Sequence, residues 1–291
     1  MELTIATRGS KLALWQAEYV KKRLEQLGHS VKLKIVTTTG DKILDKPLVE
    51  IGGKGLFIKE VEEALLRGEA QIAVHSLKDF PVDYDEEHFV LAAVPPRESV
   101  EDIFLSETFE ELADLPDGAI VGTSSQRRIF QLKAFRPDLI FEPLRGNIDT
   151  RIRKLKEGKY DAIILAYAGV KRLNMLKKVK YFEVLDTDVV VPAMGQGALG
   201  IETIKDEKII SIVKQLNDFR SWVEVSIERD FVKALNLGCH APVGINARIM
   251  MDDTIKLKGA LLKGDRVIKK EVLVPFDEWE EAGATFAQEF K

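Results

Sequence analysis

Asp79 lies in a run of polar residues that directly follows an apolar segment. Residues 72–74 read IAV, and residues 75–81 read HSLKDFP. In α/β proteins, ligands bind beyond the carboxyl ends of the sheet strands, so a carboxylate at this place is positioned for a site. It can accept a hydrogen bond from a ligand N–H or stabilise a cation that develops during a reaction. On the residues alone, capping of the turn at Pro81 is an equally good interpretation.

Arginines recur where a predicted strand gives way to a predicted helix: Arg8, Arg127, Arg128, Arg145 and Arg151. Before the adjacent pair Arg127 and Arg128, a hydroxyl-rich turn offers backbone N–H groups to an anion, and the pair adds bidentate recognition of carboxylates. Cations at a helix N-terminus oppose the helix dipole, a local cost that a bound anion would offset. A solvated surface position would explain any one of these arginines. Because such junctions converge at one edge of a sheet, the set predicts a ligand with several negative charges.

Cys239, the only cysteine, lies in the turn-forming stretch 236–242, which reads NLGCHAP. One cysteine cannot form an internal disulfide, and four scattered histidines show no paired ligand spacing, so neither a disulfide scaffold nor a metal site is predicted. A cysteine in a turn is more accessible than one in the core, and nearby cations favour its thiolate. Cys239 is therefore either a reactive residue or a structural one. Adjacent side chains in a turn diverge, so His240 is not predicted to be its base.

The elements that position these residues follow an α/β pattern. Residues 3–7 predict a strand, Ser10 can cap a helix that Gly28 ends, and residues 31–35 predict a second strand. Further strands are predicted at 72–74, 89–94, 119–121 and 162–166, with helical patterns between them. The sheets should be parallel or mixed.

Two proline-containing interruptions divide the chain, PPRES at 95–99 and VPAMG at 191–195. They predict a first domain of residues 1–95 and 196–216 and a second of residues 99–192, joined by two hinges. The third domain, residues 217–291, should begin with two helical stretches and continue as an antiparallel sheet with strands at 243–249, 255–262 and 267–274. The stretch after Val274 is short, which predicts that no helix ends this domain. The glycine-rich loop 38–55 is either an active-site lid or a connector.

Composition excludes several classes of protein. The formal net charge of −4 argues against nucleic acid or an anionic membrane as a partner. No stretch approaches the ~18 apolar residues of a membrane span and no signal-peptide pattern opens the chain, so a cytoplasmic protein is predicted. Residues 195–200 (GQGALG) match the spacing of a dinucleotide-binding turn, but a strand-like stretch follows instead of a helix. Residues 52–55 (GGKG) lack the spacing and the hydroxyl residue of a phosphate-binding loop.

Seven segments, taken in this order, resemble the hydroxymethylbilane synthase family, also called the porphobilinogen deaminases. They are residues 6–14 (ATRGSKLAL), 52–57 (GGKGLF), 75–81 (HSLKDFP), 122–128 (GTSSQRR), 144–147 (LRGN), 192–200 (PAMGQGALG) and 238–239 (GC). The resemblance runs from Ile5 to about Gly244. It implies three α/β domains, of which the first two are of the periplasmic-binding-protein type with mixed sheets, and the third is a small α+β domain with an antiparallel sheet.

The resemblance also implies a transferase that condenses four porphobilinogen molecules head to tail. Cys239 would carry a dipyrromethane cofactor through a thioether. Asp79 would be the catalytic carboxylate, bonded to pyrrole nitrogens while ammonia leaves and the azafulvene cation is attacked. The carboxylates of cofactor and chain would be bound by six arginines: Arg8, Arg127, Arg128, Arg145, Arg151 and Arg172. Supporting contacts would come from Ser10, Lys54, Lys78, Thr123, Ser124, Ser125 and Gln196.

The family resemblance favours a monomer whose only partner is the small-molecule substrate. Two other functions compete with the enzyme. A two-domain carboxylate-binding protein without catalysis would also line a cleft with arginines, but it would give Cys239 and Asp79 no special role. A nucleic-acid binder would use the arginines as well, although the acidic balance and the lack of an aromatic-basic module count against it.

Overall fold

The computed structural model describes residues 1–38, 58–236 and 242–291. The strands in these ranges are β1 (Glu2–Arg8), β2 (Ser30–Val36), β3 (Ile72–Ser76), β4 (Phe89–Ala93), β5 (Asp102–Ser106), β6 (Ile120–Gly122), β7 (Ile140–Glu142), β8 (Ala162–Ala166), β9 (Tyr181–Leu185), β10 (Leu199–Ile204), β11 (Val243–Ile249), β12 (Thr254–Lys263) and β13 (Arg266–Pro275). The α-helices are α1 (Lys11–Gln26), α2 (Lys59–Leu66), α3 (Gln126–Phe135), α4 (Ile148–Lys156), α5 (Tyr167–Arg172), α6 (Glu207–Val213), α7 (Phe219–Leu235) and α8 (Trp279–Gln288). The predicted α/β class is confirmed. In the described ranges, no helix is long and apolar enough to cross a bilayer.

The first sheet has the strand order β2-β1-β3-β10-β4. β1 is parallel to β2 and β3, whereas β10 is antiparallel to both β3 and β4. The predicted β-α-β opening is confirmed: the Ser10 hydroxyl accepts a hydrogen bond from the Ala13 N–H at 3.2 Å, and Gly28 follows the helix with a φ of +86°. Helix α1 packs Val20 and Leu24 into the core beneath this sheet.

The second sheet has the order β7-β6-β8-β5-β9. β6 is parallel to β7 and β8, and β5 runs antiparallel to β8 and β9. Helices α3, α4 and α5 each begin just after one of the three parallel strands, so their N-termini lie at one edge of the sheet. The mixed character of both sheets is confirmed. Strands β5 and β9 were not predicted, and β7 was implied only by the strand-end position given to Arg145.

The third sheet is an antiparallel meander, β11-β12-β13, as predicted. Two helix predictions for this region are wrong. One helix, α7, occupies the place of two helical stretches, because Val223, Ile227 and Phe231 recur at four-residue spacing without a break. A final helix, α8, follows the sheet although none was expected. Its Gly283 lies so close to α7 that a Cβ would overlap the Ile227 carbonyl oxygen.

The two segments that connect the first and second sheets contact each other through their backbones. The Glu98 N–H donates to the Gly197 carbonyl at 3.1 Å, and Gly197 has a φ of +85°. A Cβ at this position would overlap the Glu98 carbonyl, so glycine is required. Arg97 donates to both carboxylate oxygens of Glu228 on α7 at 2.9 and 2.8 Å, and Glu228 also accepts from the Gly195 N–H at 2.7 Å. This buried pair joins both connecting segments to the helix that leads to the third sheet.

The strands of the three sheets fall within the three predicted domain ranges. The boundaries themselves, at residues 95, 99, 192, 196 and 217, stay a prediction, as does the hinge role of the connecting segments.

Candidate active site

Asp79 ends a single turn of 3₁₀ helix, Leu77–Asp79, that directly follows β3. Leu77 is fully buried, and its N–H donates to the Ala198 carbonyl at 3.0 Å, which fixes the turn against the start of β10. On the other side, Phe80 is buried and its N–H donates back to the Leu77 carbonyl at 3.1 Å. With both flanking residues anchored, Lys78 and Asp79 are held half-buried at the end of the strand.

Lys78 is a cation whose pKa is strongly lowered in this region. Burial lowers the pKa of Lys78 to about 8, the Asp79 and Asp102 carboxylates oppose that shift, and Arg128 and Arg127 add to it. Charged groups shift the pKa of a neighbour strongly only at short distance, so these four side chains must lie close to Lys78. The end of β3 therefore faces the start of α3 across the junction of the first two sheets.

Arg127 and Arg128 occupy the first turn of α3 and are both buried. Their common partner is Asp102, the first residue of β5. Arg128 donates from Nε and Nη2 to Asp102 Oδ1 at 3.0 and 2.7 Å, and Arg127 Nη1 lies 2.7 Å from Asp102 Oδ2. The two guanidinium groups together hold the pKa of the buried Asp102 carboxyl far below its usual range, although burial alone would raise it.

Gln196 is fully buried on the second connecting segment, beside Arg127. Its Nε2 donates to the Val100 carbonyl at 2.7 Å and to Asp102 Oδ1 at 3.0 Å, and its Oε1 accepts from Arg127 Nη2 at 3.5 Å. The structure thus gives Gln196 protein partners on both ends of its amide.

The hydroxyl residues of the turn before α3 also have partners within the protein. Thr123 Oγ1 accepts from the Ser125 N–H at 3.2 Å. Ser124 Oγ accepts from the Leu144 N–H at 3.0 Å and donates to the Leu144 carbonyl at 3.2 Å, which ties this turn to the one before α4. Ser125 is the N-cap residue of α3, and its side chain makes no capping hydrogen bond.

Arg145 and Arg151 are brought together by the turn between β7 and α4. Gly146 adopts a φ of +108° there, and Arg151 Nε donates to the Gly146 carbonyl at 2.7 Å. Burial lowers the pKa of Arg151 to about 10, with further lowering by Arg128 and Arg145 and an opposing effect of Asp79. Arg151 therefore lies near Asp79 as well as near the other arginines.

The remaining described residues of the predicted site lie on three other elements. Arg8 ends β1, and Ser10 caps α1. Arg172 ends α5, donates to the Gly197 carbonyl at 2.7 Å and lies over the ring of Trp15 on α1, 5.6 Å from its centroid. Burial lowers the pKa of Arg172 to about 10. Lys54, the loop 38–55 from residue 39 onward, and Cys239 with His240 lie outside the described residues.

Asp102 was not recognised from the sequence. It opens the run DIFLS, in which an otherwise apolar strand begins with a carboxylate. A charged residue is almost never fully buried unless it is paired, so this pattern could have pointed to a cationic partner elsewhere in the chain.

The arrangement suits a ligand with several carboxylates. The cations that interact with one another here are Lys78, Arg127, Arg128, Arg145 and Arg151, and the carboxylates that interact with them are Asp79 and Asp102. Among the residues that the structure describes, cations thus outnumber carboxylates in these interactions, in a partly buried place where charge-assisted hydrogen bonds are strong. Asp79 lies at a strand end, where a carboxylate can accept a ligand N–H or stabilise a developing cation.

Comparison with known proteins places similarity along nearly the whole chain. Residues 3–211 match the family described as "Porphobilinogen deaminase, dipyromethane cofactor binding domain", and residues 222–291 match "Porphobilinogen deaminase, C-terminal domain". The chain is 51% identical to the porphobilinogen deaminase of a Nitratiruptor species over 290 residues, which cover 99% of this chain and 93% of that protein. It is 48% identical to the porphobilinogen deaminase of Campylobacter lari over 293 residues, 99% of this chain and 94% of that protein.

Solved structures of periplasmic binding domains match part of the chain. The periplasmic VFT2 domain of BvgS from Bordetella pertussis matches with a TM-score of 0.42 and 16% identity, covering 74% of this chain and 86% of that one.

Proposed function

Because the chain belongs to the porphobilinogen deaminase family, we propose that Asp79 is its catalytic carboxylate and that Cys239 carries its dipyrromethane cofactor. The activity is that of a hydroxymethylbilane synthase, a transferase of porphyrin and heme biosynthesis. Four porphobilinogen molecules are joined head to tail with loss of ammonia, and hydroxymethylbilane is released by hydrolysis. Similarity over nearly the full length of known porphobilinogen deaminases disfavours a carboxylate-binding protein without catalysis.

The grouping of Lys78 and arginines around Asp79 is the observation that supports these roles. Each pyrrole ring of cofactor and product carries two carboxylates, so a bound oligopyrrole would place its negative charges among Lys78 and the arginines. Arg8, Arg145, Arg151 and Arg172 would bind these groups from separate elements. Ser10, Lys54, Thr123, Ser124, Ser125 and Gln196 would support that binding, most of them by holding the turns in place.

Asp79 performs the electrostatic part of the reaction. The cofactor, when bound, supplies the pyrrole carbon to which the first substrate unit is joined. In each substrate the aminomethyl C–N bond breaks, ammonia leaves, and positive charge develops on the pyrrole. The Asp79 carboxylate accepts the pyrrole N–H and stabilises that charge, and the fixed position of the turn means that no reorganisation is needed.

Lys78 should give the activity an alkaline limit. Its pKa of about 8 means that the free site loses this positive charge as the pH rises through 8, and carboxylates of the bound cofactor move the limit upward. We expect kcat/KM to fall on the alkaline side in wild type and the fall to move to higher pH in Lys78→Arg, because arginine stays charged. An identical profile for the two proteins would contradict this role.

The same pKa has a defined effect on stability. The pKa of Lys78 is lowered in the folded state from 10.5 to about 8, so the unfolded chain binds more protons between these values. The contribution of Lys78 to stability therefore rises with pH across that window.

Intact mass spectrometry tests the proposed function most directly. The purified protein should carry the added mass of a dipyrromethane, and Cys239→Ser should lack it. Ser226→Ala, on the described helix α7, serves as a control that should keep the adduct. An unmodified wild type that gains no adduct after incubation with porphobilinogen or preformed hydroxymethylbilane would refute the attachment.

We infer further that the protein is a cytoplasmic monomer that binds neither nucleic acid nor membrane. The net charge of −4 supports the last two points. A light-scattering mass close to the chain mass of 32.7 kDa would support the monomer, and twice that mass would refute it.

A further inference from the structure

Asp102 connects three parts of the chain that are far apart in sequence. It is fully buried at the start of β5, directly after the first connecting segment. Its Oδ1 accepts from Arg128 on α3 and from Gln196 on the second connecting segment at 2.7 and 3.0 Å, and its Oδ2 lies 2.7 Å from Arg127. One carboxylate therefore fixes both arginines relative to both connecting segments.

Further hydrogen bonds restrict how the two guanidinium groups can turn. Arg128 Nη1 donates to the Ile164 carbonyl at 2.9 Å, and Arg127 Nη1 donates to the Val191 carbonyl at 2.8 Å. Arg128 thus uses three N–H groups, on Nε, Nη1 and Nη2, out of the five that a guanidinium carries. These contacts fix the direction of the remaining donors, so a ligand acceptor would have to approach along that direction.

Charge makes Asp102 necessary for this arrangement. Two adjacent cations in the first turn of a helix repel each other and oppose the helix dipole, and burial adds the cost of losing water. Asp102 is the carboxylate that contacts both, so it reduces the local charge from two positive units to one. That remaining unit is the charge that a ligand carboxylate would meet.

We propose that Asp102 is a positioning residue, which orients Arg127 and Arg128 for carboxylate binding and sets the charge that surrounds Lys78 and Asp79. This inference rests on the proposed function. Asp102 touches the arginines and Gln196 and acts on the reaction through them. Its role differs from that of an ordinary buried ion pair, because its removal should change the titration of the site as well as the stability of the fold.

Asp102→Asn tests the proposal, because asparagine keeps the shape and loses the charge. In the holoenzyme we expect kcat/KM for porphobilinogen to fall roughly tenfold or more. We also expect the alkaline limit of kcat/KM to move to lower pH by roughly half a unit or more, because the anion that favours charged Lys78 is gone. Asp102→Glu retains the charge and displaces the carboxylate, so it should lose activity while keeping the wild-type pH limit.

Asp161→Asn is the matched control. Asp161 lies just before β8 in the same sheet and accepts from the Ile120 N–H at 2.7 Å, and neither of the two arginines contacts it. The Asp161→Asn variant should be somewhat less stable than wild type and should keep the wild-type alkaline limit of kcat/KM. If Asp102→Asn does not fold, the Asp102→Glu profile decides: an altered pH limit with intact charge would overturn the proposal.

The possible results distinguish a failure of the proposed function from a failure of the role proposed for Asp102. A wild type that consumes no porphobilinogen would refute the proposed function. An active wild type with Asp102→Asn at the same kcat/KM and pH limit would overturn the role of Asp102 alone. A loss of activity in Asp102→Asn without a change in the pH limit, matched by Asp161→Asn, would show a merely structural residue and would also overturn it.

Discussion

Asp79→Asn should leave the fold and the bound cofactor in place and lower turnover roughly 100-fold or more. Asparagine has the size of aspartate and keeps one oxygen for a pyrrole N–H, but it carries no charge to stabilise the cation that forms as ammonia leaves. The fold should survive because Leu77 and Phe80, which are buried on either side, anchor the turn by their own backbone hydrogen bonds. The measurement is porphobilinogen consumption, with intact mass as the check on cofactor content.

Asp83→Asn provides the control for this experiment. Asp83 lies four residues further along the same loop, and its side chain is 81% exposed. Loss of its charge should change turnover little, since water screens an exposed carboxylate. Near-normal turnover in Asp79→Asn would remove Asp79 from the catalytic role, whereas an equal loss in both variants would indicate a general effect of charge in the loop.

Arg128→Leu should reduce cofactor content and elongation together. Leucine removes the three hydrogen bonds to Asp102 and Ile164 and leaves Asp102 with Arg127 as its only cationic partner among the described residues. Breaking a buried ion pair from one side costs about 3–5 kcal/mol, so the free energy of unfolding should fall as well. The fraction of protein that carries the adduct in intact mass spectra, and the turnover of that fraction, are the quantities to measure.

Arg136→Leu separates stability from ligand binding. Arg136 is the C-cap residue of the same helix, and it donates to both oxygens of Asp138 at 2.8 and 2.6 Å. The Arg136→Leu variant should be less stable than wild type and should keep its cofactor. Unchanged cofactor content and kinetics in Arg128→Leu would count against a carboxylate-binding role for the start of α3.

Local patterns in the sequence predicted the first β-α-β unit well. Ser10 and Gly28 define the two ends of α1 through a cap and a left-handed turn, and both signals depend on neighbouring residues alone. The directions of β5 and β10 could not be predicted, because they depend on which distant strands lie beside them. The helix α8 was missed because the stretch after Val274 was judged too short, although Ala282 and Phe286 recur within it at helical spacing.

In the candidate site, too, local features were predicted from the sequence and long-range pairings were not. The sequence suggested that a bound anion offsets the cost of two arginines at the start of α3. The structure shows a protein carboxylate, Asp102, in contact with both of them. The partners are about 25 residues apart along the chain, and their pairing depends on β5 lying beside β8 in the folded sheet. The binding roles of all six arginines, and the roles of Asp79 and Cys239, remain predictions.

The position of β10 imposes an order on the assembly of the protein. β3 and β4 do not pair with each other, because β10 lies between them. The first sheet therefore cannot close until Ile204 has been synthesised, about 110 residues after the end of β4 at Ala93. At synthesis rates of about 5–20 residues per second, the gap lasts roughly 5–20 s. All strands of the second sheet lie between Asp102 and Leu185, so they have been synthesised before β10. The first sheet therefore begins first along the chain but is completed after the second sheet.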